Sequence, residues 1–167
     1  PPKLFQPLQL GGITLPNRVA VAPMCQYSAD DGSMNDWHVA HLGSMAASGA
    51  GLVVLEATGV VREGRISHGC AGLYTDNNVA AMKRVVDFCR RHSKAAIGVQ
   101  LAHAGRKGSS RPPWQGGKSL AAGESPWQTV APSGLAFDEG WQVPHELTVA
   151  ELGSLRDARS EEHTSEL

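Results

Sequence analysis

Apolar residues in this chain fall in short blocks whose period changes from one block to the next, and those changes mark the elements. Leu4, Phe5, Leu8, Leu10, Ile13 and Leu15 flank Gly11-Gly12, a turn signal between two extended runs, so an N-terminal hairpin is expected. Val19-Ala20-Val21-Ala22, closed by Pro23, is a continuous apolar run of the kind shown by a strand buried on both faces. From Asp36 as N-cap, Val39, Leu42, Met45 and Ala46 recur at helical spacing until Gly49-Ala50-Gly51 ends the pattern. The unit then repeats. Leu52-Val53-Val54-Leu55 reads as a strand, and Val79, Met82, Val85, Val86 and Cys89 mark one face of a helix that starts near Asp76 or Asn77. Residues 95–101 supply a third strand, and Thr148-x-x-Glu151 is a capping box opening a third helix that contains Leu152 and Leu155.

Alternating strands and helices with apolar strands predict an α/β fold with a parallel sheet and helices outside, either doubly wound or a (β/α)8 barrel. Between Leu101 and Thr148 the chain is far longer than a usual βα connection and rich in Gly, Pro, Ser and Trp. Trp114, Trp127, Phe137 and Trp141 argue against disorder, so an ordered excursion covering a site is expected.

Composition narrows the function classes. The 167 residues are 41% apolar and 19% charged with a formal charge of −1, which leaves no basic stripe for nucleic acid and no like-charge block for an anionic membrane. No apolar run reaches the roughly 20 residues that span a bilayer, and Pro1-Pro2-Lys3 does not lead into a signal-peptide core, so a cytoplasmic location is expected. Cys25, Cys70 and Cys89 have no disulfide or zinc spacing and are judged as free thiols. His38 and His41 lie three apart on a helix without a carboxylate to complete a ligand set; they read as helix-surface or interface histidines, and no metal is expected.

Active sites of parallel α/β folds lie at the carboxyl ends of the strands. Three segments qualify: Ala22 to Tyr27, with a thiol and a phenol two residues apart; Glu56-Ala57-Thr58; and Gln100 to Lys107. Taken singly, each has an ordinary explanation. Cys25 fits an inert buried thiol, Tyr27 an amphipathic rim residue, Gln100 a polar strand end bonded to backbone, and Arg106-Lys107 a solvated charge pair. Cys89 fits the buried thiol well, and Cys70 has no evident task.

Taken together, the segments Asn17-Arg18 to Tyr27, Glu56-Ala57, Gly64-Arg65-Ile66 and Gln100 to Lys107 resemble the Old Yellow Enzyme family of FMN-dependent ene-reductases. The nearest likeness is to its YqjM-like and xenobiotic reductase A-like branch, which carries a cysteine at the position of Cys25. The resemblance runs from about Leu4 to Ala158 and implies a partial (β/α)8 TIM barrel: the hairpin plus the first three βα units. It also implies that Ala22, Pro23, Met24, Cys25, Ala57 and Gln100 line FMN, that the Cys25 S–H tunes it, and that Tyr27 meets the substrate. A carboxamide at Gln100 suits a flavin pyrimidine edge, which alternates donors and acceptors. His103 is placed behind these residues.

The activity so implied is an NAD(P)H oxidoreductase, an NADPH dehydrogenase of the Old Yellow Enzyme type, in which NADPH or NADH reduces FMN and the flavin reduces an activated alkene of an enone or nitro compound. The resemblance implies a homo-oligomer. The family's His-x-x-His pair, proton-donating tyrosine, N1/O2 arginine and phosphate loops have no counterpart in these 167 residues, so the chain alone is expected to be inactive and poorly folded, with an open sheet edge. Alternatives are a dienoyl-CoA reductase-like or demethylase-like flavoenzyme, a flavin-free barrel enzyme with Cys25 as nucleophile, and a non-catalytic half-barrel binding module.

Both termini bear on this reading. A start at Pro1 without methionine carries the expectation that the true beginning is missing or was processed. Residues 159–167 have no apolar periodicity, are expected to interrupt the third helix, and match the read-through translation of a common sequencing adapter. Residues 1–158 are therefore expected to be the N-terminal part of an FMN-binding barrel and 159–167 a non-native tail. Removing the tail takes away Arg159 and three glutamates and moves the formal charge from −1 to +1, so the sign carries no information.

Overall fold

The computed structural model of the chain describes residues 2–164. An antiparallel hairpin of β1 (Leu8–Leu10) and β2 (Ile13–Leu15) comes first, pairing Leu10 with Ile13. Gly11 makes the tight turn at φ +54, a conformation that glycine adopts without a steric penalty. Only Leu15 of this hairpin is buried; Leu10 and Ile13 are about half exposed.

The main sheet is parallel, in the order β3 (Ala20–Val21), β4 (Leu52–Gly59), β5 (Ala96–Ala102). Helices α1 (Asp36–Ala47) and α2 (Asp76–His92) pack on one side of it and on each other. α1 starts one residue earlier than Asp36 as N-cap would place it, and α2 starts at Asp76 as expected. Asn35 caps α1, its Oδ1 accepting the Trp37 N–H at 3.1 Å, and Thr75 caps α2, its Oγ1 accepting the Asn78 N–H at 3.2 Å. Asp36 and Asp76 are instead the first helical residues, where a carboxylate opposes the positive end of the helix dipole. The core lies between sheet and helices, with Val53 and Leu55 of β4 against Leu42, Met82, Val85 and Cys89. On the opposite face Leu52 and Val54 are only partly buried, with Gly98 of β5 beneath them. Helices on one side and strands in sequential order suit both architectures left open by the periodicity.

Two strand boundaries differ from expectation. The first core strand is limited to Ala20–Val21, and the second continues four residues past Leu55 to Gly59. The continuation contains a bulge: Leu55 opposes Val99 and Ala57 opposes Gln100, which leaves Glu56 without a partner on β5. An extra residue puts Leu55 and Glu56 on the helix side together, both 1% exposed, and returns Ala57 to the open face.

The long excursion is ordered and folds back over the loop after β4. The Trp127 Nε1–H donates to the Glu63 carbonyl at 3.0 Å, and a short parallel pair joins β6 (Val130–Ala131) to β7 (His145–Glu146). Arg106 and Lys107 are not a free solvated pair: the Arg106 guanidinium donates to Ser133 Oγ at 2.8 Å, and the Lys107 ammonium lies 4.7 Å from the Phe137 ring centroid. The capping box forms as read, with the Thr148 N–H donating to Glu151 Oε2 at 2.7 Å and the Glu151 N–H to Thr148 Oγ1 at 3.3 Å. The helix it opens, α3 (Val149–Thr164), is not interrupted at 159. From Ser154 to Thr164 there is no glycine or proline, so a polar stretch can continue a helix at small cost. Among the described residues no helix is long and apolar enough to cross a membrane.

Candidate functional site

Leaving β3, the chain runs as an extended strip from Ala22 to Tyr27 across the carboxyl end of β4. Ala22 and Met24 are exposed, Pro23, Cys25, Gln26 and Tyr27 half-buried. The strip is fastened from several sides. Glu56 Oε1 accepts the Gln26 backbone N–H at 3.2 Å, the Gln26 carboxamide donates to the Met24 carbonyl at 2.9 Å, and the Trp37 indole N–H donates to Gln26 Oε1 at 3.1 Å. One residue further on, Asn35 Nδ2 donates to the Ser28 carbonyl at 2.7 Å. The first turn of α1 therefore anchors the segment that follows β3.

Within that frame the Cys25 sulfur faces the backbone N–H of Ala57. Ala57 pairs with Gln100 across β4 and β5, so Cys25 and Gln100 flank the same small residue of β4. Gln100 is exposed on the face it shares with Gly98. The result is an open floor carrying a hydrogen-bonding thiol on one side and an amide on the other. Burial, then the neighbouring Cys70 and Glu56, push the Cys25 thiol up to about 11, outweighing the Ala57 N–H, so Cys25 is a neutral S–H at neutral pH.

Tyr27 stands one step out from that point. Its φ is +52, its ring meets Trp114 of the excursion edge-on at 5.3 Å, and burial, followed by Cys25, raises its phenol pKa. Gly69 passes beneath it so closely that a Cβ there would lie 2.3 Å from the Tyr27 carbonyl oxygen. Tyr27 thus joins the rim through Cys25, held by Gly69 below and Trp114 beside it.

His38 differs from its reading in sequence, and Cys70 and His103 gain definite places. His38 is not a surface or interface histidine: it is fully buried, its Nδ1 accepting the Asn35 N–H at 3.1 Å. Its Nε2 lies 3.5 Å from Glu56 Oε2, and neither atom has a closer partner. Burial lowers the His38 pKa to about 4 and raises that of Glu56 to about 7, so in weak acid this is a contact of two neutral groups. Cys70 lies buried near Cys25, its sulfur accepting the Ser67 N–H at 3.4 Å. His103 follows the last residue of β5. Its Nδ1 accepts the Gly105 N–H at 3.0 Å, and its buried Nε2 has no partner beside a cavity of about 230 Å³ lined also by Glu63, Glu151 and Leu155. The one sequence signal for the buried pair was a carboxylate interrupting an apolar strand; nothing in the spacing of His38 pointed to its partner.

Comparison with known proteins extends the geometry. The family model for NADH:flavin oxidoreductase / NADH oxidase matches residues 3–153. An NADH:flavin oxidoreductase of Gibberella zeae is 42% identical over 159 residues, 93% of this chain and 38% of its own. An NADPH dehydrogenase of Listeria monocytogenes is 45% identical over 148 residues, 87% of this chain and 39% of its own. Among solved structures, morphinone reductase superposes with a TM-score of 0.76 at 28% identity over 94% of this chain and 42% of that one. The old yellow enzyme homologue of Zymomonas mobilis does so with 0.73 at 28% identity over 94% and 43%. The chain spans about two fifths of the length of the curated relatives it matches.

Proposed function

Because this chain belongs to the NADH:flavin oxidoreductase / NADH oxidase family and carries the first βα units of its (β/α)8 barrel, we propose that it is the flavin-facing part of an FMN-dependent NAD(P)H oxidoreductase. The observations that support this reading are the Cys25 sulfur at the Ala57 backbone N–H and Gln100 opposite Ala57 on β5, along one open floor. That donor set suits a flat heteroaromatic ring with alternating donors and acceptors. Ala22, Pro23, Met24, Cys25, Ala57 and Gln100 would hold FMN, which when bound accepts hydride from a nicotinamide and passes it to an activated alkene.

The chain's own residues bind and orient. A neutral S–H at Cys25 can donate one hydrogen bond to an acceptor at the ring edge, whereas a thiolate could only accept. Gln100 offers a donor and an acceptor from one rigid strand, and the small side chain of Ala57 leaves the floor flat between them. Tyr27, braced by Trp114, stands where a phenol can meet an acceptor lying over that floor. Activated alkenes of enones or nitro compounds are the proposed substrates, and the cysteine supports placement in the branch that carries one. The proposed division of the chain remains 1–158 as native barrel and 159–167 as a non-native tail.

The rival reading, a flavin-free enzyme with Cys25 as nucleophile, needs a ready thiolate. A thiol pushed up to about 11, with Glu56 and Cys70 among the groups raising it, works against that role. The test is to express the whole protein that contains residues 1–158. The flavin reading expects a yellow protein that NADPH bleaches without oxygen and that an enone restores to yellow. A colourless active enzyme, inactivated by alkylation of Cys25, would favour the nucleophile.

A further inference from the structure

Glu56 is an ionisable side chain, 1% exposed, at a place where an apolar residue would fill the space without the cost of removing a carboxyl group from water. The β4 bulge puts it there, by leaving Glu56 outside the pairing between Leu55 and Ala57 and turning it toward α1. Its two oxygens face two different elements. Oε1 accepts the N–H of the Cys25–Gln26 peptide at 3.2 Å, and Oε2 faces His38 Nε2 at 3.5 Å. His38 is itself oriented from its other side, where Nδ1 lies 3.1 Å from both the backbone nitrogen and the Oδ1 of Asn35. A line of polar contacts thus runs from the first turn of α1 through His38 and Glu56 to the peptide that follows Cys25. The same peptide is braced from outside by the Trp37 indole on the Gln26 side chain.

We propose that Glu56 is a positioning residue: with His38 behind it, it holds the Cys25–Gln26 peptide and thereby sets the Cys25 sulfur against the Ala57 N–H. The purpose of that placement rests on the flavin reading above, but the contacts do not. Without the Oε1 acceptor, the Gln26 N–H loses its partner on β4 and the strip is held only by its ends and by Trp37. The Cys25 sulfur then moves out of its half-buried seat and becomes accessible, while the core behind it stays closed.

The three free cysteines supply their own controls, because Cys70 and Cys89 are each 1% exposed and in separate places. Alkylation by N-ethylmaleimide of the whole protein that contains residues 1–158, freed of flavin, is followed at Cys25, Cys70 and Cys89 by mass spectrometry for wild type, Glu56→Gln and Glu56→Leu. The Leu variant removes the acceptor and is expected to react at Cys25 roughly tenfold faster, a factor suited to the loss of one hydrogen bond to an ionisable group. The Gln variant keeps an amide oxygen for the Gln26 N–H and is expected to show a smaller increase, with Cys70 and Cys89 unchanged in both. An unaltered Cys25 rate in both variants overturns the proposal. So does parallel acceleration of all three cysteines in both, which assigns Glu56 a general structural role. If the Leu variant alone loses its fold, the Gln variant decides by the same criterion. Failure of the whole protein to bind flavin would defeat the preceding reading and leave this result standing; flavin binding with an unaltered Cys25 rate would do the reverse.

Discussion

Glu56 and His38 resist charge for the same reason, burial, and they titrate in opposite senses. Glu56 has its pKa raised from 4.5 to about 7, so between those values the folded state holds a proton that the unfolded chain has lost, and stability falls as pH rises. His38 has its pKa lowered from 6.5 to about 4, so between those values the unfolded chain binds a proton that the folded state refuses, and stability rises with pH. Over about pH 4.5 to 6.5 the two slopes cancel, and the pair contributes a flat profile. Glu56→Gln removes one side. Urea unfolding of this variant is expected to lose stability as pH drops from 6.5 toward 4, by on the order of 2–3 kcal/mol more than wild type. His38→Gln should show the mirror image, weakening as pH rises from 4.5 to 7. Cys25 gives a second residue-scale outcome. With its thiol at about 11, only about a thousandth is thiolate at pH 8, so its alkylation rate should climb nearly tenfold per pH unit up to pH 10. A rate that levels off above about pH 9 would show an ordinary thiol.

At the scale of elements, the site depends on close approaches of backbone to backbone. Gly69 lies in the loop after β4, directly under Tyr27, and its carbonyl accepts the Ala29 N–H at 2.9 Å. An added Cβ would meet the Tyr27 carbonyl at 2.3 Å, and backbone cannot rotate aside as a side chain would. Gly69→Ala is expected to cost about 1–3 kcal/mol and to disturb the Tyr27–Trp114 ring pair, visible in the near-ultraviolet circular dichroism. The start of α3 is the simplest element to test. Thr148→Ala removes both halves of the hydroxyl's role in the capping box and should cost about 1 kcal/mol or lower the helical signal by fraying α3. This box was readable because capping acts within four residues. The bulge at Glu56 was not, since it exists only in the register between β4 and β5.

For the whole molecule, the three parallel strands bury one face under α1 and α2 and leave the other, with Leu52, Val54 and Gly98, incompletely covered. β5 is an edge strand among the described residues, and an unpaired edge beside an apolar face favours association. Size-exclusion chromatography of the 167-residue chain is expected to show heterogeneous self-association with binding of a hydrophobic dye, and the whole protein one defined assembly that binds no dye. A well-behaved monomer that binds no dye would show that the half-barrel covers this face by itself.

The order of strands and helices, the hairpin turn, the capping box and the residues offered at each strand end were settled by the sequence alone. Each depends on periodicity or on contacts within a few residues, and such local physics is written directly in the chain. A shared rim for Cys25, Ala57 and Gln100 was implied by family resemblance, and strand pairing sets Ala57 opposite Gln100. Tertiary structure alone decided that His38 is buried, that Cys70 is buried near Cys25, that His103 borders a separate cavity, and that Glu56 faces α1. These depend on residues about 20 to 45 positions apart, and on one extra residue in β4 that changes which side of the sheet a side chain occupies.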